Sequence, residues 1–274
     1  MPVQDVLIHL RRCEDGVAAT EAGLKLAARI QAHVLGLHVV SISPVAFASP
    51  EAVAMHVNEA NHLYDEALAR EPWWRERLAQ RGLQGEWQVA QGETVESLCH
   101  AARWCDLIVV ERPTLNPDAP TGWGVVSRTV FGSSAPVVVV PETARVDHVG
   151  EHILVAWNAS PESTLALHGA AALLQKADKV TVLEGDPMVS PFGLRYLPTL
   201  DLPAWLKRRG IEAEFRSFKP QKEHGAELLE VAHSIDADLI VTGAWGHSRI
   251  TELVLGGVTR YLFQNSDLPL LVAH

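Results

Sequence analysis

Positive charge is in short supply in this chain: 23 Lys and Arg stand against 33 Asp and Glu, a formal net charge of −10 with His neutral. Without a basic excess there is little to hold a phosphate backbone, so no nucleic-acid partner is expected. The deficit is shared, with 11 basic against 17 acidic residues before Thr143 and 12 against 16 from there on, so neither half hides a basic tail. Cysteine is scarce too. Cys13, Cys99 and Cys105 form an odd set with no C-x-x-C pair, which argues against a disulfide framework and fits a reducing compartment. Long apolar runs are missing: Pro136 to Pro141 falls far below the roughly 18 residues of a membrane span. The start, MPVQDVLIHLRRCED, reaches acidic residues too early for a secretory leader. A soluble, cytoplasmic protein with no membrane partner is expected. Catalytic signatures are absent as well, with no H-E-x-x-H, G-x-S-x-G or G-x-x-x-x-G-K-(S/T), and nothing marks a nucleophile with its base. Thirteen histidines form no zinc pattern, and Cys99, His100 and Cys105 read as packing, so no catalytic residue and no metal site are assigned.

What is present is core material, 47% hydrophobic residues in 274, enough for one large domain or two modest ones. Two passages read alike. DVLIHL (Asp5 to Leu10) and HILVAW (His152 to Trp157) are nearly continuous apolar runs of the kind buried strands show, and each is followed by a helical pattern and a second run, LGLHVV (Leu35 to Val40) or KVTVLEG (Lys179 to Gly185). Later, SLCHAARWCDLIVV (Ser97 to Val110) parallels ELLEVAHSIDADLIVT (Glu227 to Thr242). Leu98, Ala101, Ala102 and Cys105 match Leu228, Val231, Ala232 and Ile235 at i, i+3, i+4 and i+7, and each helix face runs into Asp-Leu-Ile-Val. Each half closes on a proline-led apolar strand, APVVVVP (Ala135 to Pro141) and LPLLVAH (Leu268 to His274). Internal duplication accounts for all of this.

Strands alternating with long helices predict an α/β fold: two tandem Rossmann-like units, each a five-stranded parallel sheet with helices on both faces, at 1–142 and 150–274, with TARVDHVG (Thr143 to Gly150) between them. The second-half strands are expected near 152–157, 179–184, 212–218, 238–243 and 269–273. Ser160 followed by Pro161 marks a helix start, with Leu167, Ala170, Ala171 and Leu174 as its buried stripe. The first half adds a long helical pattern between about Glu51 and Arg81.

In such sheets ligands bind beyond the carboxyl ends of the strands, where strand order reverses, here between the first and fourth strands of a half. The fourth strand of the second half runs into VTGAWGHSRITELVLGGVTR. Gly243, Gly246, Gly256 and Gly257 would let an anion approach main-chain N–H groups, and the helical stretch from Val258 to Phe263 offers its N-terminal donors. The same glycines would serve equally as turn residues of an ordinary loop.

The spacing Gly243-x2-Gly246-x9-Gly256, on that strand and with ILVAWNASPES (Ile153 to Ser163) as opening strand and helix, resembles the nucleotide-binding branch of the universal stress protein family. The resemblance covers nearly the whole chain, as a tandem member. It implies an adenine nucleotide, ATP or AMP with magnesium as an optional companion, held near Ala156, Trp157, Asn158, Gly243, Gly246, His247, Arg249, Gly256, Gly257, Val258 and Thr259. With no Walker lysine and no obvious magnesium carboxylate, slow ATP hydrolysis at most is expected. The resemblance also implies final strands that pair across a two-unit interface, so an intra-chain pseudo-dimer is expected, with pairing of whole chains into a homodimer left open. Two positions depart from the family pattern: Gly257 stands where Ser or Thr is usual, with Thr259 as a substitute hydroxyl, and Asn158 replaces the usual Asp. Asn158 has a second use, capping the helix after Ser160; His247 and Arg249 would reach phosphates or stand as solvated charges; Trp157 and Trp245 would flank a base or pack. In the first half Glu111 and Pro113 replace the first glycine and its loop, GWGVVS (Gly122 to Ser127) lacks the last glycine of a dinucleotide loop, and Glu111 would repel phosphate. The first half then reads as a degenerate copy. The rival function is a structural or interaction module of the same fold that binds no nucleotide.

Overall fold

The structure, a computed structural model, describes residues 5–41, 50–115, 124–186, 198–244 and 257–274. The first half runs β1 (Asp5–His9), α1 (Ala18–Ile30), β2 (His33–Ser41), α2 (Pro50–Leu68), α3 (Glu71–Ala79), β3 (Gly85–Gly92), α4 (Thr94–Ala101), β4 (Leu107–Arg112), α5 (Val125–Gly132) and β5 (Val137–Pro141). The second runs β6 (His152–Trp157), α6 (Pro161–Leu174), β7 (Lys179–Glu184), α7 (Leu202–Arg208), β8 (Glu214–Ser217), α8 (His224–Ser234), β9 (Leu239–Gly243), α9 (Gly257–Asn265) and β10 (Leu270–Ala273). Each half contributes five parallel strands, as the alternation of elements predicts.

The two sets fuse into one ten-stranded sheet in the order β3-β2-β1-β4-β5-β10-β9-β6-β7-β8. The joint is antiparallel, with Leu270 opposite Val139, Leu271 opposite Val138 and Val272 opposite Val137. All four valines from Val137 to Val140 are fully buried, and each contributes about 1.5–3 kcal/mol relative to an exposed side chain. Two apolar layers cover the faces, and both cross the joint: Val6 and Ile8 share one with Ile153 and Val155, while Leu7 shares the other with Leu154. Lys25 Nζ donates to the carbonyls of Val146 (2.6 Å) and Asp147 (2.9 Å), fastening the inter-half segment to α1.

Three expectations need correction. The helical pattern from Glu51 to Arg81 is two helices, because Pro72 enters the first turn of α3, where its missing N–H is harmless, and could not continue α2. The buried stripe of α6 comprises Ala166, Leu167, Ala170, Leu173 and Leu174, while Ala171 is only half-buried. The edge strand β8 is shorter than 212–218: Glu214 to Ser217 pair in register with β7, and Phe218 adds one N–H bond to the Glu184 carbonyl.

Candidate functional site

Strand order reverses between β6 and β9, which lie side by side in parallel register with Ile153 opposite Leu239 and Val155 opposite Val241. Beyond their carboxyl ends opens a cavity of about 470 Å³, within the range of small-molecule sites. Ala156, Trp157 and Asn158 line it from β6 and the turn after it, Gly243 from β9, and Gly257, Val258 and Thr259 from the start of α9. Seven of the sequence-predicted site residues therefore converge on one wall. Gly246, His247, Arg249 and Gly256, with Trp245, lie outside the described residues.

Local chemistry sets the shape of this wall. Ser160 caps α6, its hydroxyl accepting from the Ser163 N–H at 3.1 Å, with Pro161 in the first turn. Asn158 Oδ1 accepts from the Ser160 N–H at 3.2 Å, across Ala159 in the left-handed region (φ 58°), a conformation costing an alanine about 1–2 kcal/mol. Asn158 thus holds the turn ahead of the Ser160 cap and does not itself cap α6, and its amide NH2 group can still donate toward the cavity. Thr259 is buried, and its hydroxyl donates to the Gly243 carbonyl at 3.4 Å, leaving an oxygen lone pair rather than a free donor for a ligand.

Gly243 has a reason the sequence does not display. A Cβ there would lie 2.5 Å from the Ser163 nitrogen and 2.7 Å from the Glu162 carbonyl carbon, so its hydrogen faces the first turn of α6 and lets the helix rest on β9. Gly257 is the opposite case, exposed and with nothing within 4 Å of such a Cβ. The open approach expected of both glycines holds at Gly257 alone.

The cavity has further walls that motif reading missed. Leu183, Gly185 and Asp186 come from the end of β7, Phe218 from beyond β8, and Lys222, Glu223 and His224 from the start of α8. The signal was available, since every strand in such a half delivers its carboxyl end to the same crevice. Phe218, Leu183 and Leu228 make an apolar side, while Ser160, Asn158, Lys222 and His224 supply polar groups. The N-termini of α6, α8 and α9 all open onto the cavity, so its field favours an anion. Asp186 and Glu223 are the carboxylates among the described lining residues, and no cluster of three metal-ligating side chains occurs among the described residues. Neither is there a described helix long and apolar enough to cross a membrane.

The equivalent strand ends in the first half carry an ion-pair cluster. Matching registers set Leu107 on β4 against Leu239 on β9, which puts Glu111 where Gly243 stands and Arg11 where Asn158 stands. Glu111 pairs with Arg11 Nε and Arg12 Nη2, both at 3.0 Å, with Glu142 3.4 Å from Arg12, and the Glu111 side chain is 1% exposed. Its hydrogen bond and charge raise the pKa of Arg12, while a Thr114 N–H bond, with Arg11 and Arg12 alongside, holds the Glu142 carboxyl below its usual range. Glu111 is therefore a neutralised carboxylate that plugs the space taken in the second half by the first turn of α6, not the free repulsive charge expected from the sequence. Eight residues connect β1 to α1 where three connect β6 to α6, and the longer loop gives this side chain the room that α6 denies at Gly243. Beside the plug, His9 is buried, with its pKa pushed down to about 4 by desolvation and then by His38 and Arg11. The cysteines carry no activated thiol: burial raises all three, Cys13 and Cys105 to about 11.

With a reversal-point cavity in the second half and an ion-pair cluster at the matching strand ends of the first, comparison with known proteins becomes specific. Residues 150–274 match the model of the universal stress protein family. The whole chain shares its tandem fold with a universal stress protein from Archaeoglobus fulgidus DSM 4304, at 16% identity, covering 98% of this chain and 95% of that one with a TM-score of 0.68. A functionally unknown protein from Pseudomonas aeruginosa PAO1 is also similar, at 16% identity, 99% and 92% coverage and a TM-score of 0.58. No curated protein matches the chain.

Proposed function

We propose that this protein binds an adenine nucleotide, ATP or AMP, in the cavity of the second half, and that it acts in a stress response through the state of that site. The units are 1–142, a closed copy, and 150–274, the binding copy. The carrying observation is the cavity itself: an apolar pocket edged by three helix N-termini where the sheet reverses, at strand ends whose first-half equivalents carry the Glu111 carboxylate in place of Gly243. Phe218 and Leu183 suit the base, Asn158 a ribose hydroxyl, and the start of α9 with Lys222 and His224 the phosphates. Magnesium would arrive with the phosphates, with Asp186 and Glu223 as the nearby carboxylates. Ser160 and Ser163 are engaged in the helix cap, which supports binding over turnover.

The rival reading, a module that binds no nucleotide, draws on Gly243, whose packing role accounts for it without any ligand. Calorimetry on the full chain with adenosine, AMP, ADP and ATP separates the two. Gly257→Asp is the matched variant: it has open space, and a carboxylate at a helix start stabilises by about 0.3–1 kcal/mol while opposing a phosphate. Nucleotide affinity should fall with thermal stability kept or raised. No heat from any nucleotide with the wild-type protein would leave the interaction module as the function.

A further inference from the structure

The last residue of β4, Arg112, is a buried guanidinium from the first half whose hydrogen bonds all end in the second. Nη1 donates to the carbonyls of Leu262 (3.0 Å) and Phe263 (2.8 Å), and Nη2 to that of Ser266. These carbonyls belong to the last turn of α9 and the residue just beyond it; that of Leu262 also accepts from the Ser266 N–H at 2.9 Å, while a helix end leaves its final carbonyls without helical partners. Asp267 is the carboxylate whose charge acts on Arg112, without forming an ion pair with it, so the cation is held chiefly by main-chain oxygens. Burying a charge in that way is costly unless its geometry is fixed, and the planar fork spanning three carbonyls fixes both groups.

The contact is not returned. The pseudo-twofold that sets Glu111 against Gly243 sets Arg112 against Ala244, which has no side chain to reach across the joint. The first half therefore grips the second, at the helix whose other end, Gly257 to Thr259, lines the cavity.

We propose that Arg112 is a positioning residue for the anion-binding end of the second-half cavity, acting from the other half of the chain by clamping α9. This rests on the nucleotide reading given above. Two routes are available, a through-space field or placement of the helix. A nine-residue helix is about 14 Å long, so the field of Arg112 is weak at the far end, whereas its fork holds three carbonyls of this helix end directly, and placement dominates. The closed half is thereby part of the site in the open one.

The test is calorimetry on the full chain, comparing wild type, Arg112→Met and Arg112→Lys with adenosine, AMP and ATP. Arg112→Met should weaken ATP about fivefold, the loss of a partly buried helix-end interaction, and adenosine less than twofold. Arg112→Lys keeps the charge but not the fork, so it should recover only part of the ATP affinity; it also serves if the methionine variant does not fold. Equal weakening of adenosine and ATP, unchanged ATP affinity, or complete rescue by lysine would overturn the clamp while leaving the nucleotide reading in place. Failure of the wild-type protein to bind any of the three would remove the nucleotide reading, and the clamp with it.

Discussion

Replacing Gly243 by alanine adds one methyl group and should unsettle a whole helix. That methyl would sit 2.5 Å from the Ser163 nitrogen and 2.7 Å from the Glu162 carbonyl carbon, both backbone atoms that no rotamer change can move aside. Relief requires α6 to lift by nearly an ångström, and α6 carries Ala166, Leu167, Ala170, Leu173 and Leu174 into the core layer that spans the sheet. Overpacking of this kind costs about 1–3 kcal/mol, and the geometry here belongs at the upper end. Against it stands about 0.4–1 kcal/mol from the smaller conformational entropy of an unfolded alanine. The net expectation is a loss of about 2 kcal/mol, or roughly 4–8 °C in melting temperature for a chain of this size. Thermal and urea unfolding followed by circular dichroism would measure it, with Gly257→Ala as the control, since open space there predicts a change within about 0.5 kcal/mol or a slight gain. A Gly243→Ala protein melting within a degree of wild type would refute the packing argument and return Gly243 to ligand approach.

Two other consequences concern the closed half. Glu111→Ala leaves Arg11 and Arg12 with side chains 42% and 38% exposed, so water can replace the lost partner and the cost should be about 1–2 kcal/mol, whereas Arg11→Ala with Arg12→Ala strands a carboxylate that is 1% exposed and should cost about 3–5 kcal/mol. Urea unfolding giving the reverse order would show that Glu111 is not the buried member on which the plug depends. His9 makes stability sensitive to acid: its pKa is about 4 when folded and 6.5 when free, so as pH falls from 6.5 toward 4 the unfolded chain takes up a proton that the native state refuses. Stability should drop by up to about 1.4 kcal/mol per pH unit across that window, some 3 kcal/mol in all, with His152 and His168 shifted in the same direction. Urea midpoints at pH 7.5, 6 and 5 should show a shallower decline in His9→Phe, and an unchanged slope would assign the acid sensitivity elsewhere.

Features written in neighbouring residues were legible before the structure. The runs HILVAW and KVTVLE become β6 and β7 with the expected ends, because a buried parallel strand declares itself by composition. Ser160 and Pro161 start α6 because cap and ring act within one turn. The reversal point follows from element order, and it brought Asn158, Gly243 and Gly257 to one cavity. What escaped depends on residues distant in the chain. Glu111 meets Arg12 across 99 positions and Arg112 meets Leu262 across 150, and no local pattern pairs them. Gly243 was visible as a glycine, but its reason lies in a helix nearly 80 residues earlier. The cavity's apolar side was missed for a different cause: Phe218 and Leu183 stand at strand ends already assigned, and the motif drew attention to a single strand.

The antiparallel joint also sets a schedule for synthesis. Val137 to Val140 form the outer strand of the first five, and their partners Leu270 to Val272 come 133 residues later in the chain. At about 5–20 residues per second that interval is some 7–27 s on the ribosome. Throughout it the nascent first half carries an uncovered, all-valine edge, the kind of surface that recruits strands from neighbouring chains. The segment that protects this edge emerges only after the other strands of the second half have been made, so truncation before β10 should harm the first half as surely as the second.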